Sequence, residues 1–325
     1  MPSIRTRLLN VFLRHTVKKH LSNTELTPRE IARTRARMDR TGRTAGARKA
    51  SKVNHETAQL GGVALSWTEP KGAAESPRPV ILHMHGGAYV VGSSDAYRPF
   101  AANLALAADA RVGVLDYSLA PEAPYPAAAN DAMAAYRALL QQGVPAQRIV
   151  ISGDSAGGNL ALVTLLKIKE ARLPTPAGGI LLSPWTDLTG SGESVTSNAQ
   201  KDPMLPGARL PEAAHLYAGD NDLRNWRISP LFGDYHGLPP LTIHCGSSEI
   251  LLDDSRRVAA CAREAGVDVR LKVWPEAPHV FPAFADVLPE GKAALAEIAH
   301  WLSEQLPDRG AIDRALGARD AVPET

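Results

Sequence analysis

Five consecutive residues, Gly153-Asp154-Ser155-Ala156-Gly157, constrain this chain more than any other feature, because of what flanks them. Residues 148–152 form a short apolar run, and residues 159–163, Asn-Leu-Ala-Leu-Val, read as the start of a helix. A strand feeding the pentapeptide and a helix leaving it describe a tight turn that lifts a serine hydroxyl above the end of a sheet. Glycines beside the serine tolerate a strained backbone and let strand and helix approach closely. The helix also aims its N-terminal N–H groups and positive dipole end at the place where an oxyanion would form.

A second string supports the same chemistry. His83-Met84-His85-Gly86-Gly87-Ala88-Tyr89 follows the apolar residues 79–82. Adjacent glycines after a strand free backbone N–H groups to point into a cavity. Acyl transfer needs such donors, and losing one typically costs about 100- to 1,000-fold in rate. The sequence therefore assigns an oxyanion hole to Gly86, Gly87 and Ala156. Reading His83 and His85 as metal ligands is weaker, because no third ligand has suitable spacing.

A serine nucleophile needs a base, and the base needs an orienting carboxylate, in the chain order serine, acid, histidine for this kind of turn. His279 lies on a loop just after the strand-like residues 269–273, whereas His300 sits inside the amphipathic run 293–302. His279 is the expected base. Glu249, Asp253 and Asp254 all follow the strand-like residues 241–245. Glu249 comes first, where a loop carboxylate can turn back toward His279, and is the chosen acid, with Asp253 as the alternative. Asp253 and Asp254 equally suit a helix start.

Strand-like runs at 63–67, 80–84, 112–116, 149–152, 180–182, 241–245 and 269–273 alternate with helix-like runs at 97–108, 127–140, 159–170, 255–265 and 291–304. Such alternation predicts a mostly parallel sheet flanked by helices, with the site beyond the C-terminal strand ends.

Taken together, His85-Gly86-Gly87-Ala88, the string from Gly153 to Asn159, Asp116-Tyr117-Ser118-Leu119-Ala120-Pro121-Glu122, Ser183-Pro184-Trp185-Thr186-Asp187-Leu188 and Pro278-His279-Val280-Phe281 resemble the hormone-sensitive-lipase-like bacterial carboxylesterases, family IV, of the α/β-hydrolase superfamily. The matching strings span roughly residues 60 to 305. The resemblance implies an α/β-hydrolase fold with a helical cap, Ser155 as nucleophile, His279 as base and Glu249 as acid. Glu249-Ile250-Leu251 stands where a common family form has Asp-Pro-Leu, and Ser118 stands where many members carry Arg. The implied activity is serine-esterase hydrolysis of short- to medium-chain acyl esters through an acyl-enzyme. Amide deacylation and glyceride lipolysis would use the same residues. A non-catalytic receptor on the same fold, as in the plant gibberellin receptor, is the weaker alternative because serine and histidine are both present. The resemblance implies a small-molecule ester partner and no metal or organic cofactor; a monomer or homodimer is expected.

Two segments fall outside the sheet pattern. The first 50 residues hold 13 Lys and Arg against 3 Asp and Glu, while the remainder holds 23 against 31. Charges interrupt the apolar stretch around Leu8, Leu9, Val11, Phe12 and Leu13 too often for a signal peptide or a membrane span. A basic amphipathic helix of this kind can meet an anionic membrane surface, but a cap helix is the favoured reading. No interleaved aromatic platform accompanies the charge, which argues against nucleic acid. The insertion at about 190–225 is too long for a plain connection and contains helix-like residues 211–218. By resemblance it joins residues 1–53 as a cap over a catalytic domain at 54–305, with a polar tail at 306–325. Tyr89, Met204, Leu205, Leu216 and Tyr217 are the candidate substrate-pocket residues. Two cysteines give no disulfide framework, which suits a reduced, cytoplasmic setting, with peripheral membrane contact as the variant.

Overall fold

A computed structural model describes residues 1–74 and 77–306; the polar tail expected at 306–325 lies, from residue 307, outside the described residues. Its core is one eight-stranded sheet. The strands are β1 (Val53–Leu60), β2 (Val63–Pro70), β3 (Val80–Met84), β4 (Arg111–Leu115), β5 (Ile149–Asp154), β6 (Gly178–Leu182), β7 (Leu241–Gly246) and β8 (Val269–Trp274). Their spatial order is β1-β2-β4-β3-β5-β6-β7-β8. The β1–β2 and β2–β4 pairs are antiparallel, and every other pair is parallel.

The central strands are near-continuous apolar runs because helices cover both faces. Along β3, β5 and β6, neighbouring side chains go to opposite sides. Ile81, Val150 and Ile180 pack with Phe100, Leu104, Ile298 and Trp301 on one face. Leu82, Ile151 and Leu181 pack with Tyr136, Leu139, Leu160 and Val258 on the other. The helices α4 (Arg98–Ala108) and α10 (Pro289–Gln305) supply the first layer, and α5 (Ala127–Gln141), α6 (Ala156–Glu170) and α9 (Leu252–Glu264) the second. The edge strand β8 is buried only at its ends and carries Arg270 and Lys272 between them. Charge on an edge suppresses pairing with other chains. β1 was not among the expected strands. Only Val53 and Leu60 are buried along it, so it lacks the apolar alternation that identifies a strand from sequence.

The N-terminal segment forms α1 (Ile4–Leu13), a π-helical turn (Arg14–Lys18), α2 (Lys19–Asn23) and α3 (Pro28–Ala47). Thr27 caps α3, and Pro28 occupies its first turn, a position where a missing N–H costs nothing. Ile31 of α3 is buried against Val90 and Ala120. Burial of a side chain of this size is worth about 2 kcal/mol. Between β6 and β7, the insertion carries α7 (Ser194–Ser197) and α8 (Leu210–Ala218). No described helix is long and apolar enough to cross a membrane.

Candidate active site

Parallel strands deliver their C-terminal ends to one edge, and β3, β5, β7 and β8 each release a chemically loaded loop there. β5 ends at Asp154 and α6 begins at Ala156, leaving Ser155 alone between them with φ 53° and ψ −121°. Such a conformation is costly for a residue with a Cβ and persists only when its surroundings hold it. Here the Ser155 N–H donates to the Leu182 carbonyl at 2.9 Å, and the Ser155 carbonyl accepts from the Trp185 N–H at 2.9 Å. A Cβ on Gly157 would lie 2.0 Å from the Met84 carbonyl oxygen, and one on Gly153 2.0 Å from the Gly157 oxygen. Both glycines are therefore required for β3, β5 and α6 to meet. From Ile149 to Leu166, Ser155 is the only residue that is not buried.

Glu249 and His279 come together as the sequence order suggests. The His279 Nδ1 lies 2.7 Å from Glu249 Oε2, and both side chains are buried. Since a carboxylate only accepts, Nδ1 carries the proton, which leaves Nε2 as the basic atom of the neutral ring. Burial pulls the His279 pKa down, but the Glu249 hydrogen bond and charge, with further help from Asp202 and Asp154, outweigh it and raise the pKa above the ordinary 6.5. Glu249 Oε1 accepts from Ser183 Oγ at 2.7 Å and from the Gly246 N–H. Ser183 Oγ in turn accepts the Val280 N–H at 3.1 Å. Ser183 directly follows the carbonyl that holds Ser155, so the serine turn, the acid and the histidine loop share one anchor.

Asp253, the alternative acid, is corrected by its contacts. Its carboxylate accepts the Ser194 N–H at 2.8 Å and faces Arg256 at 3.4 Å. It sits in the first turn of α9, where negative charge favours the helix. Asp254 is committed as well, accepting the Thr186 and Asp187 N–H groups at 2.6 and 2.8 Å, and burial pushes its pKa up to about 7. His300 is exposed and faces Glu304.

The oxyanion loop needs a second correction. The Gly86 N–H is not available, because it donates to Asp154 Oδ1 at 3.0 Å and to the Tyr97 hydroxyl at 2.9 Å. Among the described residues, the N–H groups of Gly87, Ala88 and Ala156 donate no hydrogen bond. Gly87 has φ 121°, and Ala88 has φ 55°, so the loop bends its amides away from the strand direction. Ala88 is thus a candidate donor that the glycine pattern alone does not reveal.

Asp154 is the hub of this arrangement. It also accepts from Tyr97 Oη at 2.7 Å and pairs with His83 Nε2 at 3.1 Å. His83 Nδ1 meets Ser152 Oγ at 3.0 Å. His85 stacks on Tyr117 at 4.3 Å between ring centres, with Nδ1 2.8 Å from the Gly86 carbonyl oxygen. His83 on β3 and His85 just after it are both held within the packing beneath the Gly86–Ala88 loop. Among the described residues no cluster of three or more His, Cys, Asp or Glu is arranged to hold a metal ion.

Of the candidate pocket residues, Tyr89 and Tyr217 are corrected. Tyr89 is 0% exposed and Tyr217 1%. Their rings stack at 3.6 Å, and the Tyr89 hydroxyl donates to Asn159 Oδ1 at 2.7 Å, so the pair belongs to the core beneath the site. Met204, Leu205 and Leu216 keep accessible surface. Leu216 packs beside Ile31, Val90 and Ala88, next to the oxyanion loop.

The insertion grips the acid loop directly. Asn198 Nδ2 donates to the Glu249 carbonyl at 2.9 Å and to that of Ser247 at 3.2 Å. Asp202 Oδ2 accepts the Ile250 N–H at 2.9 Å, and Ser194 Oγ donates to the Ile250 carbonyl at 2.7 Å. Lys18 donates to the carbonyls of Ala199 and Asp202, both at 2.7 Å, and Arg14 to that of Lys201 at 3.1 Å. Ser194, Asn198 and Asp202 carry no sequence signal beyond their place in a long insertion.

Residues 81–283 match a family model described as the alpha/beta hydrolase fold. An acetyl-hydrolase from Streptomyces hygroscopicus is 39% identical over 276 residues, covering 85% of this chain and 89% of that protein. An esterase from Acinetobacter venetianus is 41% identical over 70% of this chain and 76% of its own length. A crystal structure of an esterase from the bacterial hormone-sensitive lipase family superposes with a TM-score of 0.82 at 37% identity, covering 94% of this chain and all of that one. The chain belongs to the hormone-sensitive-lipase-like carboxylesterases. As a serine carboxylesterase of the α/β-hydrolase fold, it carries the strings His85–Ala88 and Gly153–Asn159 at the C-terminal ends of neighbouring parallel strands, β3 and β5. In this carboxylesterase the features unread from sequence are Ala88, the Asp154–Tyr97 hub, and the Asn198–Asp202 grip on the acid loop.

Proposed function

We propose that Ser155, His279 and Glu249 form the catalytic triad of a carboxylesterase for short- to medium-chain acyl esters. Ser155 Oγ attacks the ester carbonyl carbon while His279 Nε2 takes its proton. The tetrahedral oxyanion forms against the N–H groups of Gly87, Ala88 and Ala156. As the carbonyl re-forms, the alcohol leaves with the proton from His279, and a serine ester remains. Water then attacks that ester, His279 takes one of its protons, and the carboxylic acid departs as Ser155 regains its hydrogen. Glu249 holds the Nδ1 tautomer and stabilises the imidazolium.

The observation that carries this reading is the buried 2.7 Å pair of His279 and Glu249, tied through Ser183 to the strained turn whose one accessible residue is Ser155. The short acyl preference draws on the relative named as an acetyl-hydrolase. Residues 1–53 and 190–225 together serve as the cap, with 54–305 as the catalytic domain. In support, Arg35 of α3 donates to the Val90 and Ala120 carbonyls at 2.8 and 2.9 Å, and Leu216, Met204 and Leu205 offer the remaining pocket surface. Cys245 and Cys261 are unpaired, which fits a reducing compartment.

The test is hydrolysis of p-nitrophenyl esters of increasing acyl length by the native chain and by Ser155→Ala. The native chain turns over acetate to medium-length acyl esters, and the variant loses at least about 1,000-fold in kcat while keeping its circular dichroism. Retained turnover in the variant would remove the proposal. Parallel assays with anilides and emulsified triglyceride separate ester from amide and lipid hydrolysis.

A further inference from the structure

Seven large apolar side chains are exposed among the described residues, and five of them, Met1, Ile4, Leu8, Val11 and Phe12, lie within the first twelve positions. Spacings of four and three residues put Ile4, Leu8, Val11 and Phe12 on one stripe of α1. Their relative exposures are 77, 66, 56 and 59%. The opposite side of the same helix is already docked. Thr6 and Leu13 are buried, Leu9 packs against the Trp274–Phe281 cluster, and Asn10 donates to the Glu276 carbonyl at 2.8 Å. Folding of this chain therefore accounts for the inner face and leaves the outer stripe without a role.

Cations border that stripe. On the helical wheel Arg5 lies at one edge and Arg7 at the other, with Arg14 following on the Arg7 side. Among the described residues, none of Arg5, Arg7, Arg14, Lys18 and Lys19 has a carboxylate within 4 Å, while thirteen basic residues face three acidic ones in the first fifty. Arg5 reaches the carbonyl of Val287, a sixth exposed apolar residue, at 3.4 Å, which extends the patch onto the loop before α10.

We propose that the outer face of α1 docks on an anionic lipid surface, with Ile4, Leu8, Val11 and Phe12 inserted at the headgroup boundary and Arg5 and Arg7 on lipid phosphates. Apolar residues flanked by arginines are the pattern of an interfacial helix, whose binding combines buried apolar area with attraction to anionic lipid. Self-association of two such stripes about a two-fold axis would bring the same uncompensated arginines together, which disfavours a second copy as the occupant. Docking in this way brings the His279 loop, held by Asn10 through Glu276, toward the membrane from which amphiphilic esters arrive. The proposal stands apart from the triad assignment.

Co-sedimentation with phosphatidylglycerol–phosphatidylcholine vesicles tests it. The full chain is expected to bind these vesicles, to bind pure phosphatidylcholine at least about tenfold more weakly, and to release as salt rises. Leu8→Glu/Phe12→Glu lowers vesicle binding at least about tenfold while hydrolysis of a soluble p-nitrophenyl ester stays unchanged. Arg5→Gln/Arg7→Gln weakens binding to the anionic vesicles only. Equal binding to both vesicle types, or full binding by the double glutamate variant, overturns the proposal. A dimer by light scattering that Leu8→Glu/Phe12→Glu converts to monomer also overturns it, because the stripe is then an interface between copies.

Discussion

The proposed base, His279, can take a proton only when neutral, and its pKa sits above 6.5 because Glu249 outweighs burial. The kcat/KM of the enzyme therefore falls as pH drops through that raised value and is full above it. Glu249→Gln removes the charge that raises it, so the acidic limb of the pH–rate profile moves to lower pH while kcat drops at every pH. Asp253→Ala leaves both limb and rate near native, since Asp253 serves Ser194 rather than the histidine. A profile measured for the two variants checks both statements. Asp154→Asn keeps the shape but exchanges one acceptor oxygen for a donor among three donors, the Gly86 N–H, the Tyr97 hydroxyl and His83. It is expected to lower kcat by about 10- to 100-fold with little change in KM, because the loop bearing the oxyanion donors loses its anchor. At this scale the sequence picked out Ser155, His279 and Glu249, the residues of the proposed triad, since each follows a readable strand, and the fold brings His279 and Glu249 within 2.7 Å. The sequence did not reveal which amides are free. Gly86 looks like a donor by type, and only the approach of Asp154 and Tyr97 shows that its N–H is taken.

Secondary-structure elements fix where those groups stand. The junction of β3, β5 and α6 tolerates no Cβ at Gly157, so Gly157→Ala is expected to destabilise the fold by about 1–3 kcal/mol, read as a lower urea midpoint. The grip of the insertion on the acid loop makes a different prediction. Asn198→Ala leaves the Glu249 carbonyl with only the longer 3.3 Å bond from the Leu252 N–H, and Lys18→Met frees the carbonyls of Ala199 and Asp202. Either change is expected to cost about 1–3 kcal/mol and to lower kcat more than it raises KM, because the acid loop shifts relative to His279. Parallel melting and steady-state kinetics decide it; a changed KM with native kcat contradicts it. The central strands were readable as short apolar runs bounded by turn residues, and the main helices by the helical period of their apolar residues. β1 escaped because its residues show no apolar alternation between Val53 and Leu60, whereas in β8 Val269, Leu271 and Val273 alternate with Arg270 and Lys272. The grip escaped because Ser194, Asn198 and Asp202 act across more than forty residues of chain, with no local pattern to announce them.

Across the whole molecule, one parallel sheet explains why residues far apart in sequence converge. β3, β5, β7 and β8 run the same way, so the loops that follow them emerge along one edge. Two apolar layers back that sheet, and the basic N-terminal helices hold the insertion through Arg14 and Lys18 and the loop after β3 through Arg35. Charge asymmetry along the chain was visible in composition, whereas the division of α1 into a docked face and a free apolar face required coordinates. The central claim is a covalent one, that the acyl group passes through Ser155. Intact-mass spectrometry and peptide mapping after treatment with a p-nitrophenyl phosphonate test it most directly. The account predicts one adduct per chain, located on Ser155 and formed far more slowly in His279→Ala. An adduct on any other residue, or complete inactivation with Ser155 unmodified, would contradict it.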